Sequence, residues 1–147
     1  MSHQRDVMEN KRITQLKETA QAAKQHAHAP YSGFHVGAAV LTTGGSIFAG
    51  CNLENAAYPL GQCAEATAIG AMIAGGARQI KAIVIASPND SFCFPCGGCR
   101  QKIAEFAGDD TPVILVTDDG KTETYTVGDL LPHAFRFSNL QADKEHA

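Results

Sequence analysis

The chain has 147 residues, room for one domain at the usual size of about 100 to 200 residues each, and its 44% apolar and 18% charged residues exclude a disordered chain. Fifteen acidic against twelve basic residues, a formal net charge of −3, argue against a nucleic-acid binder, since such binding depends on clustered Lys and Arg. The polar stretch Met1 to Asn10 and the lack of any apolar run of membrane-spanning length make a leader or anchor unexpected; the expected location is cytoplasmic, where five cysteines suggest a metal or catalysis before disulfides.

From Asn10 to Ala29 the apolar residues Ile13, Leu16, Ala20, Ala23 and Ala27 recur at three- and four-residue steps and predict a helix, ended by Pro30 and Tyr31-Ser32-Gly33. The charged residues between Arg5 and Lys24 are expected on its solvated face. His26 and His28, two apart, point to different sides, so a shared metal is not expected. His35–Leu41 and Ser46–Asn52 read as strands joined by a turn at Thr42-Thr43-Gly44-Gly45, with Cys51 expected in the core. A second helix is predicted from Cys63 to Ala74, with Ala66, Ile69 and Ile73 as its apolar stripe and Gly75-Gly76 as its stop. Gly70 falls on the same face and, with Ala66, is expected to permit close packing. Lys81–Ala86 reads as a buried strand, Cys96–Phe106 as a helix with Pro95 at its start, and Pro112–Thr117 as another buried strand. Asp118-Asp119-Gly120 turns into a last strand at Thr122–Thr126, and a short helix runs from Val127 to Leu131. The order α-β-β-α-β-α-β-β-α predicts a sheet with helices on both faces in a single domain, residues 1–147, with 1–9 and 138–147 expected to be flexible.

The informative residues stand at the starts of the second and third helices. Cys96 and Cys99, three apart, share a helix face, and Cys63 can supply a third thiolate. Three protein ligands leave a fourth tetrahedral position open, the arrangement of a catalytic zinc rather than a structural one. Helix N-termini favour thiolate over thiol, which is a physical reason to place cysteines there. Glu65, two residues after one ligand and not needed as a ligand, is suited to moving a proton to and from metal-activated water.

Cys63-Ala64-Glu65 followed by Pro95-Cys96-Gly97-Gly98-Cys99 resembles the zinc-dependent cytidine deaminases of the small-subunit, three-cysteine class. Ala29-Pro30-Tyr31-Ser32, Val36-Gly37-Ala38, the segment Gly50 to Ala56 and Leu130-Leu131-Pro132 carry the resemblance over most of the chain. It implies a three-layer α/β/α fold with a mixed sheet of about five strands, one zinc per subunit, and hydrolysis of cytidine, and of deoxycytidine, to the uridine product and ammonia in pyrimidine salvage. Carried over residue by residue, it implies that Phe34 stacks on the pyrimidine and that Asn52 and Glu54 bond the ribose hydroxyls. Glu65 also grips the ring, and the Cys63 amide and the segment at Ala64 orient the reacting groups. It further implies a homotetramer whose sites are completed across subunits, with Tyr58 and Phe135 bordering a neighbour's pocket.

Two features qualify this reading. Most relatives carry Arg directly after the catalytic Glu, where this chain has Ala66, leaving Arg100 and the helix dipoles as the expected compensation for thiolate charge. Between Lys24 and Arg78 there is no Lys or Arg, so a substrate phosphate beside Glu54 and Glu65 would lack a local cation; the expected substrate is a free nucleoside.

Competing readings remain for single residues. Cys93 extends the run to C-x-x-C-x-x-C and allows a closed four-cysteine zinc, although it precedes Pro95, outside the helix. Asn52 and Glu54 also suit a plain turn, Phe34 and Phe135 a core or interface, and Glu65 a favourable acid in a first helical turn. For the whole chain the alternatives are a deaminase of a cytosine-bearing antibiotic nucleoside and a non-catalytic, zinc-stabilised nucleoside-binding module.

Overall fold

In the computed structural model, which describes residues 2–140, the chain runs through α1 (Ser2–Lys24), β1 (Gly37–Thr42), β2 (Ile47–Cys51), a 3-10 turn (Tyr58–Leu60), α2 (Ala64–Ala74), β3 (Ile80–Ala86), α3 (Gly97–Phe106), β4 (Pro112–Val116), β5 (Thr122–Thr126) and α4 (Val127–Leu130). The helix and strand order is the predicted one. Residues 141–147, most of the tail expected to be flexible, lie outside the described residues.

The strands form one mixed sheet in the order β2-β1-β3-β4-β5, antiparallel except for β3 beside β4. That parallel pair requires a crossover, and α3 supplies it. Helices cover both faces, as expected. On one, α1 sets Leu16 and Ala20 against Ala39, Leu41, Ala82, Val84 and Ile114. On the other, α2 and α3 set Ala68, Met72 and Ile103 against Ala38, Val40, Ile83, Ile85 and Leu115. Burial on both faces explains why β1 and β3 read as unbroken apolar runs.

Helix α1 starts at Ser2, not Asn10, and ends at Lys24, not Ala29. Its first turns carry no helix breaker, and Glu9 pairs with Lys81 of β3 at 3.4 Å. Its end tightens into i−3 bonds from the amides of Gln25, His26 and Ala27, after which the His28 amide leaves the helix for the carbonyl of Asn52. Lys24 is not on a solvated face. It is 5% exposed, and Nζ donates to the Ser87 carbonyl at 2.9 Å and to Asp118 at 2.6 Å, tying the helix end to the loops after β3 and β4.

Two close approaches fix the helices on the sheet. A side chain at Gly37 would lie 2.0 Å from the Ala20 carbonyl of α1, and one at Gly50 would lie 2.3 Å from the Ala68 amide of α2. Gly70 does not serve this purpose: it is exposed on α2 and nothing lies within 4 Å of a Cβ placed there. The buried stripe of α2 is Ala64, Glu65, Ala68, Ile69 and Met72, with Ala66 and Ile73 at its flanks, because contact at Gly50 turns Ala64 and Ala68 toward the sheet.

The register shows where these elements lead. Gly37 pairs with both Cys51 and Ala86, and Ala86 pairs with Val116, so the segments before β1 and after β2, β3 and β4 leave the sheet at one end.

The two glycine environments give opposite expectations. Gly37→Ala is expected to lose about 3 kcal/mol in urea unfolding, because backbone on both sides resists the methyl group. Gly70→Ala is expected to gain up to about 1 kcal/mol from helix propensity alone. Equal unfolding midpoints for the two variants would contradict the packing described.

Candidate metal and nucleoside site

Cys63 is the N-cap of α2 and Cys96 the N-cap of α3, while Cys99 lies in the first turn of α3. Their three sulfurs lie within 4.8 Å of one another, and Cys63 Sγ is 4.0 Å from Cys96 Sγ. A tetrahedral zinc with bonds of about 2.3 Å requires sulfurs about 3.8 Å apart, so the donor set fits that ion. Cys99 is buried and the other two are exposed, leaving the outer side of the group open. The Cys99 amide donates to Cys96 and holds its thiol below the ordinary value, whereas burial raises those of Cys63 and Cys99. A metal must displace those protons to bind.

Cys93 is not part of this group. It is half-buried, and burial pushes its thiol up to about 11. Cys51, expected in the core, is half-buried at the end of β2.

Glu65 is 4% exposed in the first turn of α2, and burial raises its carboxyl above the ordinary range. Arg100 does not reach the thiolates. Its guanidinium donates to the carbonyls of Pro95 and Leu130 at 2.8 Å each, fastening the start of α3 to the end of α4. With Ala66 at the next position, the helix N-termini are the compensation left for the sulfurs.

The proposed nucleoside residues form a connected frame beside this group. Leu53 exchanges backbone hydrogen bonds with Gln62, the residue before Cys63, and its neighbours Asn52 and Glu54 bond the backbone of His28. The Asn52 amide donates to the Phe34 carbonyl at 2.7 Å and accepts from the Val36 amide at 2.8 Å. Glu54 accepts from the Tyr31 and Ser32 amides at 3.0 and 3.1 Å and from the Ser32 hydroxyl at 2.5 Å. The Ser32 bonds chiefly hold its carboxyl below the usual range.

Phe34 is 41% exposed, so its ring face is available, and Ala64 is buried against Gly50. Tyr58 is exposed, meets the ring of Tyr31 edge-on at 5.6 Å, and lines a pocket of 340 Å³ with Ser32, Glu54 and Gly61. Phe135 stands apart: its ring is exposed and its carbonyl accepts from Gln101 of α3. A larger concavity of 760 Å³ opens where β3 and β4 begin, away from the cysteines. Its Arg78 is spent on carbonyls near the end of α2, and its Arg136 on carbonyls near the end of α3 and on the Asp109 carboxylate.

The sequence profile described as "Cytidine and deoxycytidylate deaminase zinc-binding region" matches residues 10–116. The cytidine deaminase of Sporosarcina psychrophila is 41% identical over 128 residues, covering 87% of this chain and 94% of that protein. That of Halalkalibacterium halodurans is 43% identical over 125 residues, covering 85% and 94%. The crystal structure of cytidine deaminase from Burkholderia pseudomallei superposes with a TM-score of 0.79 at 43% identity, covering 83% of this chain and 98% of that one.

The geometry separates an open three-sulfur site from a closed four-sulfur one. Cys93→Ser is expected to retain one zinc per chain after dialysis, and Cys99→Ser to lose it, measured with a chromophoric chelator. Loss of zinc from the Cys93 variant would restore the closed site.

Proposed function

The chain belongs to the zinc-binding cytidine and deoxycytidylate deaminase family, and from that premise we propose that it hydrolyses cytidine and deoxycytidine to uridine and deoxyuridine with release of ammonia. The observation that carries the reading is three sulfurs within 4.8 Å of one another, one of them two residues from a buried carboxyl group. Cys63, Cys96 and Cys99 would hold zinc, which supplies a Lewis acid that makes water a nucleophile at neutral pH.

Glu65 takes one proton of the attacking water and passes it to the ring nitrogen next to the reacting carbon, then moves the remaining hydroxyl proton to the amino group. The ring carbon ends doubly bonded to oxygen and loses its bond to the amino nitrogen, which leaves with that second proton as ammonia. Burial suits Glu65 to both halves of this transfer, because a carboxyl raised toward neutrality can accept a proton and give it up. Phe34 offers an exposed ring face to the base. Asn52 and Glu54 take the sugar, and the Cys63 amide with Ala64 orients the reacting groups.

The proposal extends to a homotetramer in the cytoplasm, with Tyr58 and Phe135 bordering a neighbour's pocket. Tyr31, Tyr58, Leu60, Phe135 and Phe137 are all more than half exposed and offer apolar surface to a neighbouring subunit. Among the described residues no helix is long and apolar enough to cross a membrane.

Conversion of cytidine to uridine, followed by absorbance, tests the reaction. Glu65→Gln is expected to lower kcat by about 10²- to 10⁴-fold with zinc content unchanged; a retained rate would remove Glu65 from proton transfer. Lys24 and Arg78, which bound the stretch without Lys or Arg, are both bound to protein groups. Cytidine monophosphate is therefore expected to react with kcat/KM roughly 100-fold or more below that of cytidine, because a phosphate on the sugar would meet the Glu54 carboxylate. Comparable turnover would reject the free-nucleoside assignment.

A further inference from the structure

Ser32 stands between the two groups assigned above to the sugar and to the base. Gly33 follows it with φ +69°, a left-handed conformation natural to glycine, and the Gly33 amide donates to the Ala29 carbonyl at 2.9 Å. This reversal turns the Phe34 amide back onto the Ser32 hydroxyl, 3.0 Å away. The same hydroxyl lies 2.5 Å from the second carboxylate oxygen of Glu54. A serine hydroxyl has one proton and two lone pairs, and the carboxylate can only accept, so the proton points to Glu54 and a lone pair receives Phe34.

One oxygen atom thus fixes both the side-chain rotamer of Glu54 and the backbone that carries the Phe34 ring. Asn52 holds the other side of that backbone through Phe34 and Val36. A carboxylate has about four acceptor positions, and Tyr31 and Ser32 fill three of those on Glu54, which leaves one for a ligand. The direction of that remaining position depends on the hydroxyl bond.

We propose that Ser32 is a positioning residue for nucleoside binding, holding the sugar-facing carboxylate and the base-facing ring in one register. The inference rests on the roles given to Glu54 and Phe34 above. Because Ser32 and Phe34 are exposed in the protomer, removing the hydroxyl has little effect on folding. Its loss is felt when substrate covers the frame and excludes water, where a bond to a charged group counts for more.

Steady-state kinetics with cytidine on Ser32→Ala, Ser32→Thr, Glu54→Gln and the double variant Ser32→Ala/Glu54→Gln test this. Ser32→Ala is expected to raise KM about tenfold while kcat stays within about twofold and zinc content and melting temperature are unchanged. Ser32→Thr, which keeps the hydroxyl, is expected to restore most of the loss. The double variant is expected to match Glu54→Gln within about threefold, because the two changes act through one group. A normal KM for Ser32→Ala alongside a raised KM for Glu54→Gln would overturn the inference and leave the sugar-facing assignment standing. Lost zinc or a lowered melting temperature for Ser32→Ala, with KM unchanged, would reduce the hydroxyl to a structural role and also overturn it. An unchanged KM for Glu54→Gln would overturn the sugar-facing assignment itself, and the inference with it.

Discussion

Helix α2 lies so close to the sheet that a single methyl group on β2 would collide with its backbone. Contact at Gly50 sets the height and rotation of the first turn of α2, and that turn carries both Cys63 and Glu65. The second half of the metal group arrives by another route. The parallel pairing of β3 with β4 obliges the chain to cross over, and α3, the crossover, begins at the sheet end where α2 also begins. Two helix starts therefore converge, and their sulfurs come within metal-binding distance at the ends of the connections that leave β2 and β3. Lys24 secures the same end, bridging the carbonyl of Ser87 and the carboxylate of Asp118 ahead of the segment that leads to Pro95 and Cys96.

Charge on the sulfurs is managed chiefly by backbone. Arg100, beside Cys99, is spent on two carbonyls, and Lys102 offsets only part of the burial that acts on Glu65. The Cys99 amide acting on Cys96 is the visible form of the compensation: an N-terminal amide left free by the helix lowers the thiol beside it. Burial works against the other two thiols, so the group depends on a divalent cation to carry three thiolates together.

Periodicity made the regular elements legible. The alternation of apolar runs with helical stripes gave their order and, within a few residues, the bounds of β1 to β5, α2 and α3. The spacing of Cys63, Cys96 and Cys99 gave the metal group, because three residues on a helix and a cap position are local facts. What periodicity could not give was the identity of contacts between elements. Gly70 reads as a packing glycine on any helical wheel, yet the glycine that admits α2 is Gly50, on a strand. Lys24 reads as solvated because it is charged, yet its aliphatic stem lies over the end of the sheet and its ammonium finds two oxygens there. Arg100 reads as a partner for thiolates because it follows Cys99, yet its side chain turns toward α4. The Ser32 bonds to Glu54 and Phe34 leave no periodic trace at all, since they join a turn to the segment after β2, 22 positions away.

Two carboxyl groups near one metal group would ordinarily compete for the same states, and this fold separates them by environment. Glu54 sits at the surface with amide and hydroxyl donors on both oxygens, which favours its charged form. Glu65 is enclosed at the start of α2, where burial favours its neutral form. An acceptor that stays ionised suits recognition of a hydroxyl, and a carboxyl drawn toward neutrality suits proton transfer. Opposite shifts in neighbouring acids thus support the division of labour proposed for them, and they arise from two different levels of structure. The shift of Glu65 comes from how a helix packs on a sheet, while that of Glu54 comes from the turn Ala29–Gly33, whose donors are backbone amides and one serine hydroxyl.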